Sequence, residues 1–291
     1  MWPFIVRCLE VSTIFLLAGI GELLDQRSGI LNVGIEGLML LGAASGFITA
    51  LHTGSLLIGF IVGAVVGGIF GFLHGLFSIT LKVNQIVSAM GIWIFAMGFT
   101  TFWADRYSGP LKISSPRIGG LSPMFFLAVA LVFIVWFVLY KSHIGLKIRS
   151  VGEDPLVAEA TGINVVRIRY QCVVLGGLLG GLAGAFLSLT YLGLWAHLET
   201  GGMGWIALAL VLFSMWRPWI LLAGALIFGT IWQFAIAPEV VIPGFGLPLG
   251  IVRMFPFIAT IIVLIAISTP RFRRKWGLAK PAALGLPYIK E

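Results

Sequence analysis

Charge is what this chain has least of. Asp, Glu, Lys and Arg make up only 10% of its 291 residues, against 59% hydrophobic side chains. Soluble domains carry about 25% charged residues, so the shortage excludes an ordinary water-soluble domain, and a mean hydropathy of +1.06 agrees. Cysteine is nearly absent. Cys8 and Cys172 cannot frame a disulfide-stapled fold; both sit in apolar stretches, expected near opposite membrane faces, and are read as unpaired thiols. Signatures of chemistry are missing too. No G-x-x-x-x-G-K-[ST] phosphate loop occurs, so the chain does not bind and hydrolyse ATP by that route, and no H-E-x-x-H or C-x-x-C metal pattern occurs. The G-x-S-x-G nucleophile elbow is missing. His52, His74, His143 and His197 are scattered over separate elements. Neither catalytic residues nor a metal site nor a cofactor is expected in this chain.

Long uncharged runs are what it has instead. No charged residue stands between Glu36 and Lys82, and further runs cover 83–104, 118–140, 170–198 and 218–238. A helix needs about 20 apolar residues to cross the hydrocarbon. The first of these runs holds two spans, broken near His52-Thr53-Gly54-Ser55. An apolar stretch at 8–24 is read as the first span rather than a signal peptide, because no small-residue cleavage site follows it. The stretches 200–216 and 254–270 are short. The expectation is an all-α, polytopic membrane bundle of about 8–10 transmembrane helices with re-entrant or broken segments. It occupies residues 1–270 and is followed by a basic tail, 271–291.

The net charge of +8 would raise nucleic-acid binding in a soluble protein. Here the basic residues gather in the breaks between apolar runs, which is the topological pattern of cytoplasmic loops. With the 141–169 loop and the tail placed inside, that side holds Arg27, Lys82, five loop residues, Arg217 and six in the tail. The other side holds Arg7, Arg106, Lys112, Arg117 and Arg253. This distribution predicts a cytoplasmic C-terminus, an N-terminus outside, contact with membrane lipid and no nucleic-acid partner.

Glycines set the packing. Gly59, Gly63, Gly67, Gly71 and Gly75 recur at every fourth position, and Gly176, Gly180 and Gly184 repeat the pattern. Small residues at this spacing let helix backbones approach closely in lipid, and packing within the chain is favoured over a dimer seam. Ionisable groups at membrane depth are functional candidates, and Glu36 is the clearest. Asn32 and Glu36 either share a helix face and line a polar path, or belong to a break at Gly29, Gly34 and Gly37 whose freed backbone groups they satisfy. Asn84 and Gln85 either touch a polar solute or cap the next helix. Glu36 with His74 is a thin supply of titratable groups for a proton-coupled transporter.

The 141–169 loop contains a short helix with both ends marked. Asp154 suits the N-cap and Pro155 the first helical position, while Gly162 suits the left-handed residue past the end. Over 155–161, Leu156 and Ala160 are expected on one face and Glu159 exposed. Such a helix fits the docking of a soluble partner, or lies on lipid headgroups.

The stretch Val151-Gly152-Glu153-Asp154-Pro155-Leu156-Val157-Ala158-Glu159-Ala160-Thr161-Gly162-Ile163 resembles the cytoplasmic loop of ABC-transporter permeases related to the branched-chain amino acid and ribose importers. Residues 28–43 (Ser28-Gly29-Ile30-Leu31-Asn32-Val33-Gly34-Ile35-Glu36-Gly37 onward), 202–211 and the tail Pro281-Ala282-Ala283-Leu284-Gly285-Leu286-Pro287-Tyr288 are similar to the nucleoside and simple-sugar branch. The resemblance implies a non-catalytic permease subunit of a bacterial importer in the inner membrane. Its coupling helix, with Glu153, Asp154, Pro155, Leu156, Ala158, Glu159 and Gly162, would meet a separate ATP-binding cassette ATPase. A second permease subunit and an extracytoplasmic solute-binding protein would complete it. Two departures stand out: Ser214-Met215-Trp216 replaces a more glycine-rich stretch, and Trp93 occupies a position often held by something smaller. Nucleosides are expected over simple sugars, and a charged solute finds no counter-charge except Glu36. The competing classes are a self-sufficient secondary transporter and an intramembrane enzyme, the latter without a nucleophile–base pair.

Overall fold

The computed structural model describes residues 2–197, 200–240, 248–269 and 280–288. Its helices are α1 (Trp2–Arg27), α2 (Ile35–Thr53), α3 (Leu56–Gly75), α4 (Gln85–Ala104), α5 (Pro123–Lys141), α6 (His143–Glu153), α7 (Pro155–Ala160), α8 (Val165–Phe186), α9 (Met203–Ser214), α10 (Pro218–Ile236), α11 (Leu249–Val252) and α12 (Phe255–Ser268). A two-residue ribbon pairs β1 (Gly109–Pro110) with β2 (Leu194–Trp195). Among the described residues, eight helical segments are long and apolar enough to cross a membrane, and α9 is a shorter apolar helix. The protein is the polytopic helical bundle its uncharged runs predict. Most of the tail, 271–279 and 289–291, lies outside the described residues.

The centre of the bundle is α1, α2 and α8, with α3 sealed against α2 and α8. The sequence places side chains of no size where these helices meet. A Cβ at Gly67 would stand 2.6 Å from the Gly181 Cα, one at Gly177 would stand 2.9 Å from the Gly71 Cα, and one at Gly63 would stand 2.7 Å from the Gly42 carbonyl oxygen. At Gly184 it would run into the backbone of Met39. The stripe is buried inside the chain and is spent on internal packing. Contact at this range supplies dispersion where lipid leaves no hydrophobic drive between helices. Gly67→Leu is therefore expected to abolish recovery of folded protein. Gly98→Leu, where nothing lies within 4 Å, leaves it unchanged; size-exclusion profiles of the detergent-extracted variants check both.

Both α3 and α8 end in one wide π turn, Leu76–Thr80 and Leu187–Tyr191. The two ends lie on opposite faces of the bundle. One face gathers Arg27, Lys82, α6, α7 and residues 280–288: Ala283 N–H donates to the Gly152 carbonyl at 3.0 Å, and Arg27 donates to the Trp216 carbonyl at 3.1 Å. This is the loop face. The other gathers the start of α1, the 105–122 connection and the β ribbon, tied by Arg7 to the Tyr191 carbonyl at 2.5 Å and by Arg117 to Glu10 at 2.8 Å. Glu10, although near the start of α1, has its side chain fully buried and held by Arg117 and Arg7, because the connection folds over the top of α1. Cys8 and Cys172 are both free and buried; Cys8 is near the start of α1, while Cys172 lies beside Asp25 at the end of α1.

Candidate functional site

The functional candidates fall on two linked places: a break between α1 and α2 at the loop-face end of the bundle, and the short helix α7 on the loop face. The break comes first. Residues 28–34 are not helical, and Gly29 takes φ +91°, a backbone angle that L side chains rarely adopt. Asn32 therefore shares no helix face with Glu36. Its side-chain oxygen accepts from Gly34 N–H at 3.2 Å and its backbone N–H donates to Glu22 at 3.3 Å. Gly34 and Gly37 let α2 begin in contact with α4, since a Cβ at Gly37 would stand 2.7 Å from the Trp93 Cα. Trp93 in turn meets Trp205 edge-on at 5.6 Å.

Glu36 reaches the other way, to the start of α9. Its two oxygens accept from the Gly202 N–H at 2.8 Å and the Gly204 N–H at 2.6 Å. A helix N-terminus presents unpaired donors with partial positive charge, and a carboxylate is their strongest acceptor. The 200–216 stretch is the half-helix its length predicts. The 12 residues of α9 span about 18 Å at 1.5 Å per residue, well below the roughly 30 Å hydrocarbon core. Left-handed residues bound it on both sides: Gly201 and Gly202 before it, Met215 (φ +55°) and Trp216 (φ +56°) after it. That conformation costs a side-chain-bearing residue roughly 1–2 kcal/mol, a cost that glycine at these positions would avoid. Here the Trp216 indole donates to Gln26 at 2.7 Å and its carbonyl holds Arg27.

Asn84 and Gln85 divide their roles. Asn84 is exposed and caps α4, accepting from Ile86 N–H at 2.9 Å and Val87 N–H at 3.3 Å. Gln85 is buried; it accepts from Leu31 N–H at 2.8 Å and donates to the Leu286 carbonyl at 3.4 Å. The structure thus brings Asn32 and Gln85 together around the break, turns Glu36 toward α9, and leaves Asn84 on the surface. Sequence reasoning missed Glu22, Asp25, Gln26 and Arg169, all fully buried. Glu22, Asp25, Gln26 and Arg27 ahead of a glycine read as a membrane boundary. Only the return of residues 28–34 and the close approach of α8 at Gly176, where a Cβ would stand 2.5 Å from an Asp25 oxygen, bury them.

The helix α7 forms as its ends predict. Asp154 accepts from both Leu156 and Val157 N–H at 3.0 Å, Pro155 opens the helix, and Gly162 takes φ +84°. Leu156 and Ala160 share a side as expected, the exposed one, while Glu159 differs from the expectation. Ala158 is the buried side chain at 1% exposure, whereas Leu156 (48%) and Val157 (60%) are open to solvent. Ala160 is exposed as well, and Glu159 is partly covered. The cover is the tail. Tyr288 hydroxyl donates to Glu159, and Ala282 N–H donates to Glu153 at 3.3 Å. Burial, and then the Glu159 carboxylate, push the Tyr288 phenol up to about 12, so it remains a hydrogen donor. A cavity of about 700 Å³ opens beside it, lined among others by Thr80, Lys82, Glu159, Asn164, Arg167 and Tyr288.

A multi-pass bundle whose helices are broken at depth, with a capped helix projecting from one face, has the build of a solute permease. Residues 4–267 match the family described as branched-chain amino acid transport system / permease component. The chain belongs to this permease family. It is 37% identical to a protein of Haloferax volcanii that carries the provisional name of glucose ABC transporter permease, over 97% of this chain and 96% of that one. It is 34% identical to the guanosine ABC transporter permease of Bacillus subtilis, over 94% and 92%. A nucleoside ABC transporter permease of Lactococcus lactis is 31% identical, over 98% and 96%.

Proposed function

We propose that this chain is the membrane subunit of an ATP-driven importer for a small polar solute, a nucleoside first. The observation that carries the reading is α7: a capped helix on the basic face whose apolar side chains Leu156, Val157 and Ala160 point outward. An ATP-binding cassette ATPase covers that surface, and the loop face is cytoplasmic. The solute-binding protein then meets the opposite face. A second permease subunit fits α4, whose outer face exposes Val87, Gly91, Ile94, Gly98 and Phe102, small residues among large ones in the manner of helix–helix contacts in lipid. The nucleoside reading rests on the motifs around the break and on the two relatives named for guanosine and nucleosides. A simple sugar is the second reading, favoured by the 37% identity to the protein named for glucose.

Reconstitution tests the class. In proteoliposomes, uptake is expected only with the ATPase, the second permease chain, the loaded binding protein and ATP together. Uptake by this chain alone without nucleotide would instead make it a secondary transporter. Titrating the cognate binding protein with guanosine, uridine, adenosine, glucose and leucine separates the solutes. Tight binding of leucine and of none of the others would overturn the nucleoside and sugar readings together.

A further inference from the structure

The described part of the C-terminal tail, residues 280–288, forms a strap across the loop face that touches the two places described above at once. At its near end, Ala283 N–H bonds the Gly152 carbonyl at 3.0 Å and Ala282 N–H bonds Glu153, at the junction of α6 and α7. In its middle, Gly285 N–H donates to the Gly29 carbonyl at 3.2 Å, and the Leu286 carbonyl accepts from Gln85, whose other end holds Leu31 of the break. At its far end Tyr288 donates to Glu159 of α7. Ala283 and Tyr288 are buried at 5% and 9% exposure, although the segment contains no helix or strand of its own.

Under the strap lies Arg169 of α8. Its side chain is fully buried. Its guanidinium stands 5.8 Å from the Tyr288 ring centroid, and Nε donates to the Ser28 carbonyl at 3.2 Å. The other two guanidinium nitrogens have no hydrogen-bond partner among the described residues. A guanidinium at that distance over an aromatic face is attracted to it by about 0.5–2 kcal/mol. Arg169 therefore pins Tyr288 and Ser28 to the same helix.

We propose that residues 281–288 are a positioning element of the transport cycle, a backbone linkage that carries displacement of α7 to the α1–α2 break and to the first turn of α4. The alternative connections are poorer. The α7–α8 turn leads only to the start of α8, and Gly152 touches the break through backbone packing against Arg27 and Gly29, with no hydrogen bond between them among the described residues. The strap joins Glu153, Glu159, Gly29 and Gln85 through directional bonds, and these lock a relative position where packing alone permits sliding. Two conformations of α7 relative to the bundle would then correspond to two conformations of the break.

This inference rests on the reading of α7 as the ATPase-docking helix, and the test separates the two. Gly285→Pro removes the N–H that bonds Gly29 and cannot adopt the φ of +80° found there. Tyr288→Phe removes only the hydroxyl bond to Glu159. Val157→Asp alters the exposed face of α7 and leaves the strap alone. Each variant is reconstituted in the complete importer, with three readouts: ATPase subunit recovered, basal ATP hydrolysis, and the stimulation of hydrolysis by binding protein loaded with guanosine or, in a parallel arm, glucose. For Gly285→Pro the expected result is normal recovery and normal basal hydrolysis with stimulation reduced roughly tenfold or more, the usual scale of coupling between distant sites. Tyr288→Phe shows the same pattern to a smaller degree. Wild-type stimulation in Gly285→Pro would overturn the strap as a coupling element, and loss of ATPase recovery in that variant would reduce it to a docking or folding support. Normal recovery and stimulation in Val157→Asp would count against docking at α7 instead, whatever the strap variants do.

Discussion

Ala158→Pro is expected to abolish ATP-dependent uptake while the permease still inserts and its binding protein still takes up solute. The Ala158 N–H donates the first full-turn bond of α7, to the Asp154 carbonyl at 3.0 Å, and the side chain is buried. Proline deletes that bond and drives its ring toward the same carbonyl, a cost of about 3 kcal/mol in a helix interior. A helix of six residues has no second half to hold it in place, and its two cap bonds at Asp154, worth about 1 kcal/mol together, do not offset the loss. Recovery of the ATPase with the solubilised variant is the direct measurement. Full uptake together with normal ATPase recovery would show α7 to be an interfacial support only.

The second large effect is expected at Glu36. Glu36→Gln keeps the shape and replaces one acceptor oxygen with an NH2 group, which must then face either Gly202 N–H or Gly204 N–H. A buried donor left without an acceptor costs about 1–3 kcal/mol, and here two donors are set against each other at the joint that seats α9. Uptake should fall by roughly tenfold, the rate equivalent of about 1.4 kcal/mol, with a lowered Tm in detergent. Glu10→Gln also touches a buried carboxylate, but there only Oε1 accepts a hydrogen bond, from Arg117, so the amide oxygen can keep that bond, and Arg117 itself is 41% exposed and in reach of water. The comparison, at matched expression, is the test. Equal uptake by the two variants would remove Glu36 from the candidate residues.

The spans were legible because hydropathy is a local property. Each long uncharged run holds one or two helices long and apolar enough to cross a membrane, and the shortness of 200–216 agrees with the short helix α9. The caps of α7 were legible for the same reason: Asp154, Pro155 and Gly162 act on the backbone within a turn of themselves. What the sequence did not show is what depends on chain returns. Glu10, Glu22 and Asp25 look like boundary residues in a linear reading, and they are buried only because distant segments fold over them. In α7, Leu156 and Ala160 share a side, the exposed one; what a linear reading does not show is that Glu159 is partly covered, bonded by Tyr288 from 129 positions away in the chain. The glycine stripes announced close helix contact without naming the partner, since α2, α3 and α8 all present small residues at the same spacing.

Those glycine seams carry a mechanical consequence. Where the backbones of α2, α3 and α8 mesh with no side chain between them, one helix cannot slide past another without carbonyl striking Cα, and interlocked surfaces move as one body or not at all. The trio is therefore expected to act as a stator. Whatever alternates during a transport cycle is expected in the parts with looser seating: α4 and α12, in which few residues are buried, and the short lever α9, hinged at left-handed residues on both sides. Spin labels on α3 and α8 would hold a constant separation through nucleotide binding and release, while a label pair between α4 and α8 would change.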